Sequence, residues 1–355
     1  MAHSIVPPYL LARIAETDAD GMQRAAEAAR RSLLADPPLR EERRREAFVP
    51  PVPGQPVAPD DAAPQRTISD AGGTETLPGR AVRREGDPVS GDPAVNEAYE
   101  GLGATYALLA DAFGRDSIDG RGLPLDATVH YGVDYDNAFW DGQRMVFGDG
   151  DGEVFGRFTA SLSVIGHELA HGVTQYTAAL EYQGQAGALN ESFSDVVGAL
   201  VEQHRLGQTA DEASWLIGEG LFTEAVQGRA LRSMLSPGTA YDDDVLGKDP
   251  QPASMDDYVD TADDNGGVHL NSGIANRAFA LAAIELGGFA WERAGQVWYD
   301  AITGSLSPTA DFAAFADATV LAASSRFGDD SAEAAAIASA WATVGVRSDD
   351  RAESP

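Results

Sequence analysis

Apolar and polar positions follow two regimes along this chain. Residues 66–82, RTISDAGGTETLPGRAV, alternate with period two on either side of a Gly-Gly pair, which predicts two short strands around a turn. Residues 128–152 read as a strand, an irregular crossing, a second strand and a turn. Between them, residues 95–114 place Tyr99, Leu102, Tyr106 and Leu109 at helical spacing. From residue 161 onward helical periodicity dominates. It predicts helices over 161–175 and from about Asn190, another beginning within 214–222, and four alanine-rich ones over 273–286, 290–304, 309–326 and 330–344. Residues 231–238 read as a turn carrying Arg232, and 241–263 as an acidic loop. The pattern is α+β: a lobe with strands, then a lobe of helices.

Composition separates the first 50 residues from the rest. They hold eight Arg and eight acidic residues, so the net charge of −31 lies wholly in residues 51–355. That charge argues against nucleic acid or an anionic membrane as partner. No apolar run approaches the 18 or so residues of a membrane span. Residues 9–34 are helical in pattern, interrupted at Gly21, and residues 48–65 are a Pro- and Ala-rich linker, the natural place for a cut. Pro7 and Pro8 break the only apolar stretch that could begin a signal peptide, which makes the cytoplasm the default location, with leaderless export as the other route. The absence of cysteine leaves the redox compartment open.

The chemistry gathers on SLSVIGHELAHGVTQ, residues 161–175. His167 and His171 are four apart and share one helix face, where two imidazoles can reach one metal ion. Glu168 is turned about 100° from His167, beside such a metal without ligating it. H-E-x-x-H on a helix is the pattern of two zinc ligands and a general base; a helix that merely carries two histidines is the other reading, and a third ligand decides between them. Twenty residues on, Glu191 and Asp195 again lie four apart on one face.

NAFWDG with GDGDG, then HELAHGVTQ, GALNESFSD and DNGGVHLNSG, in that order from about residue 93 to the C-terminus, resemble the thermolysin family of metallopeptidases. PPYLL near the N-terminus resembles the protealysin-like branch, whose precursors carry a short propeptide. The resemblance implies a two-lobed fold around a central zinc helix: 1–50 propeptide, 51–65 linker, 66–175 N-terminal catalytic lobe, 176–348 C-terminal helical lobe. It implies a zinc endopeptidase acting on peptides or proteins, with His167, His171 and Glu191 as ligands and Asp195 bonded to a ligand histidine. It makes Glu168 the general base, Tyr182 and His269 the donors to the developing oxyanion, and Asp264 the partner of His269. Asn137 and Ala138 would lie on an edge strand that pairs with substrate, and Arg232 would grip a substrate carbonyl. Phe155, Phe158, Val164, Ile217, Leu221 and Leu231 would line the pocket for a hydrophobic residue after the cut.

Calcium is where the chain departs from that family. The positions matching its double calcium site read Ser163, Glu202, Ser214, Leu216 and Glu219, so at most a reduced site is expected, with Asp211 and Glu212 nearby. His130 reads as a packed histidine in a strand and His204 as a surface residue after the second helix; neither reads as a ligand. Two alternatives stand beside the endopeptidase: a catalytically silent zinc-binding regulator held shut by its N-terminal segment, and a zinc aminopeptidase. The second needs an acidic group for a free amine, and no recognisable position supplies one.

Overall fold

The computed structural model describes residues 3–45 and 63–346. Most of the linker read over 48–65 lies outside them. The N-terminal arm comprises strand β1 (His3–Ser4), helix α1 (Pro8–Ala15) and helix α2 (Gln23–Arg45). Pro8 opens α1, where its fixed φ suits a first helical turn and its missing N–H costs nothing.

The strand-rich lobe carries a six-stranded sheet built on β2 (Arg66–Asp70), β3 (Arg80–Arg84), β4 (Leu125–Val129), β5 (Ala138–Trp140) and β6 (Met145–Phe147). The strand order is β1-β5-β6-β4-β2-β3. β2 pairs antiparallel with β3, as the alternation predicts, and parallel with β4. β5 would be the edge of this sheet, but the arm's own β1 covers it, antiparallel, with Ser4 opposite Phe139. Helix α3 (Pro93–Phe113) packs across the sheet, its N-terminus capped by Asp92, which accepts from Ala94 N–H.

Helices α4 (Leu162–Gln175) and α5 (Gly184–Leu206) form the centre. Two glycines bring them close. A Cβ on Gly198 would stand 2.3 Å from the Ser163 carbonyl oxygen, and one on Gly166 3.0 Å from Gly198 Cα, so larger residues would push the two helices apart. The helical lobe is completed by α6 (Asp264–Leu286), α7 (Ala294–Thr303), α8 (Phe312–Phe327) and α9 (Ala332–Thr343).

Five sequence expectations change. The second central helix opens at Gly184, six residues before Asn190, because the small residues of GQAGALN continue the helix toward its start. Residues 214–222 do not form a helix: Trp215 and Gly218 take positive φ, and Leu216–Ile217 form strand β7. Its partner is β8 (Arg232–Ser233), so Arg232 sits on a strand opposite Ile217, not in a turn. His130 lies one residue past β4, at φ 56°, bonded to both Asp92 and Asp149, and His204 lies within the last turn of α5.

One apolar core runs from Ile5 to Val346 and includes the arm. Ile5, Leu10, Leu11 and Ile14 are at most 1 % exposed. Their burial contributes roughly 6–12 kcal/mol gross, before the cost of ordering the arm, at about 1.5–3 kcal/mol per large aliphatic side chain. The arm is therefore part of the folded body and not a surface appendage. Polar contacts align it: Ala25 N–H donates to Glu153, Asp136 N–H to Ser32, and Arg31 pairs with Asp134.

Candidate active site

His167 and His171 both lie on α4, fully buried, with their Nε2 atoms 3.1 Å apart. The other ring nitrogen of each is occupied. His167 Nδ1 is 2.7 Å from Asp195 Oδ1, and His171 Nδ1 is 2.9 Å from Asn190 Oδ1. With acceptors on Nδ1, each neutral ring carries its proton there and turns the Nε2 lone pair toward the same point. Two lone pairs facing each other are repulsive unless a proton or a metal lies between them. Glu191, one residue along α5 from Asn190, completes the set: ligand atoms of His167, His171 and Glu191 all lie within 4.8 Å of one another. Glu191 Oε2 is buried without a hydrogen-bond partner. Two imidazoles, a carboxylate and an orphaned oxygen are the donor set a catalytic zinc takes, with a fourth position left for reactants.

Electrostatics fit a dication. Burial disfavours charge on His167, but Asp195 and Glu191 outweigh it and lift the imidazole to about 9. Burial pushes His171 down to about 3. Any proton held between the two Nε2 atoms, beyond the two on Nδ1, must leave when zinc binds.

Asp195 is a hub. Besides His167 it accepts from Arg232 Nε and Nη2, both at 2.8 Å, and from Asn276 Nδ2 at 2.7 Å. The sequence suggested only the histidine partner. Asn190 and Asn276 were not singled out. Asn190 flanks Glu191 and could have been found from helix geometry, whereas Asn276 comes from a distant helix and has no local signal.

Glu168 lies on the same helix, fully buried, and its Oε2 accepts from the Trp140 backbone N–H at 2.9 Å. Across the site, His269 Nε2 lies 3.2 Å from Tyr182 Oη, and Tyr182 also donates to Glu191. His269 is aimed by a kink at the start of α6. Asn265, Gly266 and Gly267 take φ of 52°, 83° and 72°, which glycine adopts without strain. Asp264 Oδ1 sits 2.7 Å from His269 Nδ1. Burial opposes charge on His269, but Asp264 and Glu191 prevail and hold its pKa above the usual value.

Asn137, Ala138 and Arg232 face the arm. Asn137 Oδ1 accepts from Val6 N–H at 3.0 Å, the Ala138 carbonyl accepts from Ile5 N–H at 3.1 Å, and Arg232 Nη1 donates to the Ile5 carbonyl at 3.0 Å. All six residues expected to line the specificity pocket are buried, with Phe155 and Phe158 ring centroids 5.6 Å apart. Every site residue singled out in the sequence thus falls in one connected region.

Comparison with known proteins agrees. Residues 63–175 match the catalytic domain of thermolysin metallopeptidase, and residues 178–346 its alpha-helical domain. The chain is 50% identical over 347 residues to an extracellular metalloprotease of Pectobacterium carotovorum subsp. carotovorum, covering 97% of this chain and 96% of that one. It is 41% identical over 293 residues to an extracellular minor metalloprotease of Serratia marcescens, covering 82% and 79%. The solved precursor of protealysin, a metalloproteinase from Serratia proteamaculans, superposes with a TM-score of 0.86 at 52% identity, over 97% of this chain and 100% of that one. These relatives overturn the cytoplasmic default: proteins this similar are named extracellular, which points to secretion. The catalytically silent alternative finds no support among them. A two-histidine, one-glutamate centre with Glu168 beside it, matched over both lobes and down to the arm, places the chain in the thermolysin family of metallopeptidases.

Proposed function

We propose that this metalloendopeptidase cuts on the amino side of hydrophobic residues, and that residues 1–50 act as a propeptide, whose residues Ser4 to Val6 lie in the enzyme's own substrate cleft. The observation that carries the reading is the convergence of His167, His171 and Glu191 next to Glu168, with Tyr182 and His269 opposite. His167, His171 and Glu191 would hold zinc, which when bound supplies Lewis acidity to activate a water and polarise a carbonyl.

The chain's own residues do the rest. Glu168 takes the proton of the attacking water and passes it to the leaving amine. Trp140 N–H holds one oxygen of Glu168 and so fixes the direction in which the other points. Tyr182 and the cationic His269 donate to the oxygen on which charge develops, and Asp264 keeps His269 protonated for that task. Arg232 and Asn137 hold the backbone beyond the cut, and Asp195 orients Arg232 and His167 together. The buried cluster of Phe155, Phe158, Val164, Ile217, Leu221 and Leu231 supports a hydrophobic residue there, with broad preference, since one methylene is worth only about 1–3 kcal/mol in such a pocket.

Calcium has little to bind. Ser163 Oγ accepts from Gly218 N–H at 3.1 Å, and Leu216 brings buried hydrocarbon. Burial raises the pKa of Glu202, which weakens it as an anionic ligand. Export from the cell is the location the relatives' names favour. Hydrolysis of an internally quenched peptide with a hydrophobic residue after the cut, abolished by o-phenanthroline and restored by zinc, tests the reading. Activity indifferent to the chelator would refute it.

A further inference from the structure

The arm crosses the active site, and one of its carbonyl groups meets His269. The Ser4 carbonyl oxygen lies 3.1 Å from His269 Nε2, and His269 is itself 3.2 Å from Tyr182 Oη. With Nδ1 bonded to Asp264, Nε2 is the ring nitrogen that meets that carbonyl. On the other side of the same peptide bond, Ile5 N–H donates to the Ala138 carbonyl at 3.1 Å, and the Ile5 carbonyl accepts from Arg232 at 3.0 Å. Asn137 then brackets Val6, accepting from its N–H at 3.0 Å and donating to its carbonyl at 3.4 Å. Ile5 is 0 % exposed and belongs to the apolar core.

These contacts leave no freedom of register. The polarised carbonyl is that of Ser4, the amine that would leave is that of Ile5, and a hydrophobic residue follows the bond. We infer that the Ser4–Ile5 bond is an intrinsic cleavage site of this protein, cut by its own active centre while the arm remains docked. The inference rests on the endopeptidase reading above. In the step, a water oxygen bonds to the Ser4 carbonyl carbon as Glu168 takes its proton. The bond from that carbon to Ile5 N breaks, and the proton passes through Glu168 to the Ile5 amine. Residues 1–4 leave as a peptide with a terminal carboxylate. The remaining arm stays anchored through Leu10, Leu11, Ile14 and the contacts of α2, so trimming by itself does not release it.

The register also makes Ile5 a reporter of preference at this site. Ile5→Leu should still be trimmed. Ile5→Asp should be trimmed about tenfold more slowly or worse, because it places a carboxylate without a partner in an apolar pocket.

Intact-mass analysis and N-terminal sequencing of the zinc-loaded full chain test the inference, alongside Glu168→Gln and the two Ile5 variants. The same preparations are assayed on a quenched peptide after the arm has been removed by an added protease. The expected result is loss of residues 1–4 from both the native protein and Ile5→Leu, so that each chain begins at position 5, with residues 1–4 retained in Glu168→Gln. An enzyme that cleaves the quenched peptide yet keeps its own Ser4–Ile5 bond overturns the inference and leaves the endopeptidase reading standing. A protein that cleaves neither overturns that reading. Loss of residues 1–4 from Glu168→Gln as well assigns the cut to another protease and also overturns the inference.

Discussion

Asp195→Asn probes the hub that joins metal site to substrate grip. The native carboxylate is fully buried and accepts four hydrogen bonds, two of them from the guanidinium of Arg232, which is itself 1 % exposed. The amide cannot accept from all four donors and offers two N–H groups of its own. It therefore leaves Arg232 with a buried charge and no anion against it. Removing one partner of a buried ion pair costs about 3–5 kcal/mol. The same change frees His167 from its acceptor, and loss of such a partner weakens metal binding about 10–100-fold. Urea unfolding of the metal-free protein and zinc titration against a competing chromophoric chelator measure the two effects separately. Arg232→Met in the Asp195→Asn background should recover part of the stability but none of the zinc affinity, since it removes the stranded charge and leaves His167 unsupported. The coupling also sets an acid limit. Burial alone would raise the pKa of Asp195, but Arg232 and His167 bring it down to about 2. Its stabilisation is thus complete above the unfolded value near 4 and is lost as pH falls toward 2. Destabilisation under about 1 kcal/mol with unchanged zinc affinity would refute the reasoning.

Glu168→Gln should keep its zinc and lose about 10²–10⁴-fold in kcat, while His171→Ala should lose the metal; a Gln variant with near-native turnover would remove Glu168 from the base role. Asp136 is buried, and burial together with neighbouring Asp151 holds its pKa well above the usual carboxylate range. The folded protein therefore keeps a proton that the unfolded chain releases near pH 4, so stability falls as pH rises from about 4 through the folded pKa. Asp136→Asn should abolish that fall, gaining about 1–3 kcal/mol at pH 8 and little near pH 4; an unchanged pH profile in urea unfolding would sink the idea. Calcium at millimolar concentration, compared with EGTA at matched ionic strength, should move the thermal midpoint by less than about 10 °C, and a larger rise would mean an intact site.

What the chain determined locally is what helix geometry places locally. His167 and His171 four apart, Glu168 turned beside them, and Glu191 and Asp195 four apart on a second helix follow from 3.6 residues per turn. The alternating residues 66–82 form the paired strands that period two predicts, and the alanine-rich stretches form the helical lobe. Residues 214–222 misled because an apolar run that short suits either state; in the fold Gly218 meets Ser163 of α4 and Leu231, and Trp215 packs on Phe279 of α6, both with positive φ. Only the folded chain decided the rest. Arg232 meets Asp195 because β8 pairs with β7, which packs on α5, Asn276 arrives from α6, and the Trp140 amide from β5 reaches Glu168. The two central helices converge because Gly166 and Gly198 let their backbones touch. Above all, β5 is an edge that any extended strand could cover, and nothing local to His3–Val6 says which will. That Ser4 and Ile5 take the place follows from apolar burial of α1 and the polar seat of α2, which hold the arm in one register across the site.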